Sequence, residues 1–140
     1  MWPTRVAAQV PEDAADEPRV SLRILLVDDD PMTLATLRRT LQKAGHETSE
    51  LNGGFGFTVA LRNFDPDVVL LDVNMPGLGG LGALRSAREL QRIGDGRPRV
   101  VLYSGCEPDE LRRTAEAIKA DGILHKPATS EEILAVVSAA

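Results

Sequence analysis

From Arg23 onward, short apolar runs alternate with longer stretches in which apolar residues recur every three or four positions. The runs are too short for helices and have no polar face, so they read as strands buried on both sides. The amphipathic stretches read as helices covering a parallel sheet. Five such units can be counted. The predicted strands are Arg23 to Val27, a weak one near Glu47 to Leu51, Val68 to Leu71, Val100 to Tyr103, and a short one at Ile123 to Leu124. Pro31 suits the first turn of a helix, Leu34, Leu37 and Leu41 follow at helical spacing, and Gly45 stops it. Further helices are predicted around Phe57 to Asn63, from Leu81 to Ile93, from Pro108 to Ala120 with Gly122 closing it, and from Ser130 onward. Ser130 followed by Glu131 and Glu132 fits a capped, acid-biased helix start. Gly94 to Pro98 reads as a flexible loop. Residues 1 to about 20 show no periodicity and are rich in Pro, Ala and acid, so they read as a disordered tail with Trp2 in solvent. Residues 21 to 140 then form one domain.

Size and composition narrow the function classes. A chain of 140 residues suits one α/β core. A formal charge of −5, with Arg scattered among Asp and Glu, offers no basic face for direct nucleic-acid binding. Cys106 is the only cysteine, so an internal disulfide is excluded and a small residue in or near the core is expected. The first twenty residues lack the apolar run of a signal peptide, and no stretch approaches the roughly 20 apolar residues of a membrane span. A cytoplasmic location is expected. The last predicted helix reaches the end of the sequence, so output is expected through contact with another protein.

Ligands of open parallel sheets sit beyond the carboxyl ends of the strands, and here those ends are acidic. The first strand delivers Asp28, Asp29 and Asp30, the third Asp72, the fourth Ser104, and Lys126 follows the fifth. Two carboxylates ~4 Å apart repel by about 4 kcal/mol at an effective dielectric of 20, so the cluster calls for a cation or a raised pKa. With oxygen donors alone and no His or Cys among them, Mg²⁺ is the natural ion and zinc is disfavoured. A carboxylate can itself attack phosphorus and become an aspartyl phosphate if positive charge offsets the phosphoryl oxygens. Asp72 is the candidate acceptor, Lys126 supplies a mobile ammonium, and the Ser104 hydroxyl can donate to another oxygen. Singly, an acid after a strand is often a helix cap and a lone Lys or Ser is usually only solvated. Four strand ends converging on one chemistry favour function.

These residues resemble the receiver-domain family of two-component signalling. The carriers are Ile24-Leu25-Leu26-Val27-Asp28-Asp29-Asp30-Pro31, Leu71-Asp72-Val73-Asn74-Met75-Pro76-Gly77, Ser104-Gly105 and His125-Lys126-Pro127, spanning about Leu22 to the C-terminus. The resemblance implies a flavodoxin-like α/β fold, a five-stranded parallel sheet in the order 2-1-3-4-5 with helices on both faces. It further implies a signalling switch that is not an enzyme, beyond assisting its own phosphorylation and dephosphorylation. Asp72 would accept the phosphoryl group from a histidine kinase or phosphotransfer protein. Mg²⁺ would be bound by Asp29 directly, by Asp28 largely through water, and by Asp72 and the Asn74 backbone carbonyl. Ile123, three residues before Lys126, departs from the family, which often carries there a Tyr or Phe that rotates inward on phosphorylation. Gly79 and Ala128 depart too, away from the expected ligands. The expected switch draws Ser104 toward the phosphoryl group, shifts the following loop, and alters a partner surface of residues 107 to 120, Ile123 and the last helix.

Other readings are weaker. Gly77-Leu78-Gly79-Gly80-Leu81-Gly82 fits the G-x-G-x-x-G dinucleotide pattern, yet it starts several residues beyond the third strand, and the next strand ends in Ser104 instead of a ribose-binding acid. Gly53, Gly54 and Gly56 lack the Lys-Ser/Thr pair of a P-loop and read as a turn. A small-molecule phosphatase would want an acid where Asn74 stands. The remaining alternative is a pseudo-receiver, a phosphorylation-independent interaction module, although such modules usually lose an acid, the hydroxyl or the lysine. His46 and His125 read as structural.

Overall fold

The computed structural model describes residues 20–53, 56–73 and 98–139. Its elements are β1 (Arg23–Val27), α1 (Pro31–Lys43), β2 (Glu47–Leu51), α2 (Phe57–Phe64), β3 (Val68–Leu71), β4 (Arg99–Ser104), α3 (Pro108–Ile118), β5 (Gly122–His125) and α4 (Ser130–Ser138). The five strands are all parallel, in the order β2-β1-β3-β4-β5. The helix expected over Leu81 to Ile93, the glycine run 77–82 and the expected N-terminal tail up to residue 19 lie outside the described residues.

Strand alternation divides the core in two. Leu25, Val27, Val69, Leu71, Val100 and Leu102 point to one face, where Phe57 and Leu61 of α2 and Leu111 of α3 cover them. Ile24, Leu26, Val68, Leu70, Val101 and Tyr103 point to the other, against Leu34, Leu37 and Leu41 of α1 and Ile133 and Val137 of α4. Each central strand therefore reads as an unbroken apolar run because both of its faces are buried. At about 1.5–3 kcal/mol for each fully buried large apolar side chain, these two layers are the main support of the sheet.

The end of the sheet where the strands begin is closed by polar side chains. Asp67, just before β3, accepts from the Arg23 backbone N–H at 2.8 Å, and Asp121, just before β5, accepts from that of Val100 at 2.7 Å. Arg23 donates to the Phe64 carbonyl at the end of α2 and lies 4.5 Å from the Phe64 ring centroid. Arg99 donates to the Val136 and Val137 carbonyls at the end of α4. A cation on the last carbonyls of a helix meets both their unsatisfied acceptors and the helix dipole.

Several boundaries differ from the sequence reading. Gly122 does not close α3 but opens β5; the helix ends at Ile118 and is capped by Lys119, which adopts the left-handed conformation with φ 57°. The N-cap of α4 is Thr129, whose hydroxyl accepts from the Glu132 N–H while the Glu132 carboxylate accepts from the Thr129 N–H; Ser130 is the first helical residue. Strand β4 begins at Arg99 and ends at Ser104, and α2 extends to Phe64. Gly53 and Gly56 have φ of 113° and 83°, which glycine adopts without the Cβ penalty, in keeping with the expected turn.

Candidate functional site

The register of the sheet sets the acids side by side. Val27 pairs with Leu71 and Leu71 with Leu102. One residue further along, Asp28 on β1 stands beside Asp72 on β3, and the Asp72 N–H donates to the Val27 carbonyl at 3.0 Å. Carboxylate oxygens of Asp28, Asp29 and Asp72 all lie within 4.8 Å of one another. Asp28 and Asp72 are buried, at 1 % and 6 % exposure, while Asp29 is exposed and leaves the cluster open to solvent. Three oxygen donors of this kind, two walled by protein and one facing water, fit a hard cation that retains some of its waters. Asn74, expected to contribute its carbonyl, lies outside the described residues.

Asp30, the third acid of the run, turns away from this group. It is the N-cap of α1, its carboxylate accepting from the Met32 N–H at 3.2 Å and the Thr33 hydroxyl at 2.7 Å. These bonds, the Thr33 hydroxyl first, hold its carboxyl below the usual carboxylate value. The Asp28 carboxylate in turn accepts from the Asp30 N–H at 2.9 Å, which fixes the turn out of β1.

Lys126 comes across from β5. Its ammonium is 2.8 Å from Asp28 Oδ2 and 3.5 Å from Asp72 Oδ2. Burial alone would lower its pKa, but the hydrogen bond to Asp28 and the charges of Asp72 and Asp28 outweigh it and raise the value above that of an ordinary lysine. Lys126 therefore stays cationic at neutral pH. Its ammonium also lies 4.9 Å from the centroid of the Tyr103 ring. Burial, opposed by Lys126 and helped by Asp28 and Asp72, raises the Tyr103 phenol, which stays neutral.

Ser104 is fully buried at the end of β4, where its hydroxyl oxygen accepts from the Cys106 N–H at 3.2 Å. The same loop is tied to β5 by the His125 ring, 2.7 Å from the Cys106 carbonyl through Nε2. Cys106 is partly buried and packs against the α2/α3 layer, as expected of a small near-core residue. The structural readings of both histidines stand, because His46 Nδ1 accepts from the Leu22 N–H at 3.1 Å. Ile123 is 41 % exposed on the edge strand.

The chain matches the response regulator receiver domain family over residues 24–138. It belongs to that family. The receiver domain is similar to part of the sensory/regulatory protein RpfC of Xanthomonas campestris pv. campestris, 34% identical over 114 residues covering 81% of this chain and 16% of RpfC. It is also similar to the nitrate/nitrite response regulator NarL of Escherichia coli, 37% identical over 79% of this chain and 50% of NarL. The chain thus spans half or less of the length of these relatives. Among solved structures, a signal receiver domain from Bermanella marisrubri superposes with a TM-score of 0.71 at 31% identity, covering 82% of this chain and 93% of that one. The chemotaxis response regulator CheY4 of Vibrio cholerae shares the fold, with a TM-score of 0.74 at 24% identity over 84% and 97% of the two chains. Among the described residues, no helix is long and apolar enough to cross a membrane.

The sequence reading brought Asp28, Asp29, Asp72 and Lys126 together, and the structure does the same. It missed Tyr103. The signal was present in the strand register: Tyr103 is the β4 residue that follows Leu102, just as Asp72 follows Leu71, so it occupies the same cross-strand row and face as the two buried acids.

Proposed function

We propose that this receiver domain is a phosphorylation switch whose acceptor is Asp72. The observation that supports it most is the pairing of two buried carboxylates with an ammonium at the end of the sheet, an arrangement suited to phosphoryl transfer and weakly explained by stability alone. Mg²⁺, held by Asp28, Asp29 and Asp72 with the Asn74 carbonyl, would neutralise charge on the transferring phosphoryl group. An Asp72 carboxylate oxygen attacks phosphorus on a phosphohistidine of a histidine kinase or phosphotransfer protein. A P–O bond forms as the P–N bond breaks, and the imidazole leaves with the bonding pair and takes up a proton. Lys126 shifts from Asp28 to a phosphoryl oxygen, and Ser104 turns its hydroxyl from the Cys106 N–H to another. The domain itself assists both this step and the later hydrolysis without being an enzyme for a separate substrate.

Because Ser104 and Cys106 share one turn with the start of α3, capture of the Ser104 hydroxyl moves the loop and the surface of α3, Ile123 and α4 that a protein target would read. The domain is proposed to extend over residues 21–140 and to work in the cytoplasm, where its donor would be found. Ile123, exposed where an aromatic residue often stands, keeps a second reading open: a pseudo-receiver that binds its target without phosphorylation. Borohydride reduction of the phosphorylated protein followed by peptide mapping separates the two. Homoserine at position 72 is expected of the switch, and an unmodified aspartate throughout would support the pseudo-receiver.

A further inference from the structure

Tyr103 stands where three features meet. It shares a cross-strand row with Asp72 and is paired with Leu124 on β5, two residues before Lys126 and so on the same face of the strand. The residue is 8 % exposed and belongs to the apolar cluster that includes Leu124, Ile133 and Val137. The Lys126 ammonium lies 4.9 Å from the ring centroid, within the range of a cation–π contact. Among the described residues the ammonium thus touches the carboxylates of Asp28 and Asp72 and the ring of Tyr103, and only the ring carries no charge that would hold it in place.

We propose that Tyr103 is a positioning residue for Lys126, its ring forming a bed on which the ammonium moves from Asp28 to the phosphoryl group on Asp72. The inference rests on the phosphoacceptor reading above. To reach a phosphoryl oxygen on Asp72, already 3.5 Å away, the ammonium must loosen its 2.8 Å ion pair with Asp28. Over the ring it gives up one carboxylate while keeping a favourable contact on the protein side. A cation–π contact needs the ring and not the hydroxyl, so Phe would serve at this position and an aliphatic residue of similar bulk would not.

The direct test is NMR on the metal-free protein. The Lys126 Cε protons are expected upfield of ordinary lysine positions through the ring current, with the shift kept in Tyr103→Phe and lost in Tyr103→Leu. The rate of Mg²⁺-dependent phosphorylation by acetyl phosphate is expected to fall about fivefold in Tyr103→Leu and to stay within about twofold in Tyr103→Phe. Unshifted Lys126 protons in the wild type would overturn the proposal without any variant, and so would equal rates in wild type and a folded Tyr103→Leu. A wild type that forms no Mg²⁺-dependent adduct would remove the phosphoacceptor reading and this one together, whereas normal phosphorylation with unshifted protons removes this one alone.

Discussion

The Lys126 ammonium lies 2.8 Å from a carboxylate oxygen of Asp28, a residue only 1 % exposed. The same ammonium lies 3.5 Å from a carboxylate oxygen of Asp72, the second buried acid. Removing one member of a buried ion pair leaves the other charge uncompensated. Lys126→Met is therefore expected to destabilise the metal-free protein by about 1–2 kcal/mol, less than for a fully buried pair because the ammonium is partly exposed. Saturating Mg²⁺ should recover most of that loss, since the ion supplies the missing positive charge. Urea unfolding with and without Mg²⁺ measures both, and a loss unchanged by Mg²⁺ would argue that the acids do not hold the ion.

The same pair sets a pH dependence. Lys126 has a raised folded-state pKa, so its contribution is fully present below the unfolded lysine value of about 10.4 and is lost as pH rises through the folded value. The stability difference between wild type and Lys126→Met is expected to be flat near neutrality and to shrink only in the alkaline range. A difference that declined between pH 6 and 8 would mean another group is titrating.

Asp29 is the exposed member of a carboxylate group whose oxygens lie within 4.8 Å of each other. Neutralising it would relieve repulsion and remove a proposed metal donor at once. Asp29→Asn is expected to stabilise the metal-free protein by about 1 kcal/mol and to weaken Mg²⁺ binding by at least about tenfold. Calorimetric titration and thermal unfolding check the two halves, and a variant that binds Mg²⁺ like the wild type would remove Asp29 from the site.

Asp30 caps α1 and is not among the clustered carboxylates of Asp28, Asp29 and Asp72. Asp30→Ala removes the N-cap of α1 and is expected to lower the unfolding midpoint, whereas Asp30→Asn, which keeps an accepting oxygen, should lower it less. Mg²⁺ affinity should change far less than in Asp29→Asn. Because the folded-state pKa of Asp30 is lowered, its contribution is present above the unfolded aspartate value and fades as the solution is acidified through the folded value. Acid titration of the stability difference between wild type and Asp30→Asn follows that loss.

What the sequence revealed follows from which forces were local. The strands β1 and β3 are buried on both faces, so an unbroken apolar run marked them, and the acids at their ends were fixed by counting one residue further. Strand β2 was weak because Glu47-Thr48-Ser49-Glu50-Leu51 lies at the sheet edge and is held by pairing with β1, an Arg38–Glu50 ion pair and a Gln42–Thr48 hydrogen bond, none of them a pattern of hydrophobicity. The end of α3 was misplaced because a glycine is the usual left-handed cap, and here Lys119 takes that conformation three residues before the strand starts. At α4, Thr129 and Ser130 can both cap, and Glu132 selects Thr129 by completing the reciprocal pair. Tyr103 looked like one more apolar strand residue, and its place beside Lys126 emerges only when the registers of β3, β4 and β5 are combined.

The central claim is that Asp72 takes a phosphoryl group, and intact-mass measurement after incubation with acetyl phosphate tests it most directly. Wild type and Asp72→Ala would be compared with and without Mg²⁺. A single phosphoryl adduct that requires Mg²⁺ and disappears in the variant is the expected result; a wild type that gains no adduct, or an adduct that persists in Asp72→Ala, would contradict it.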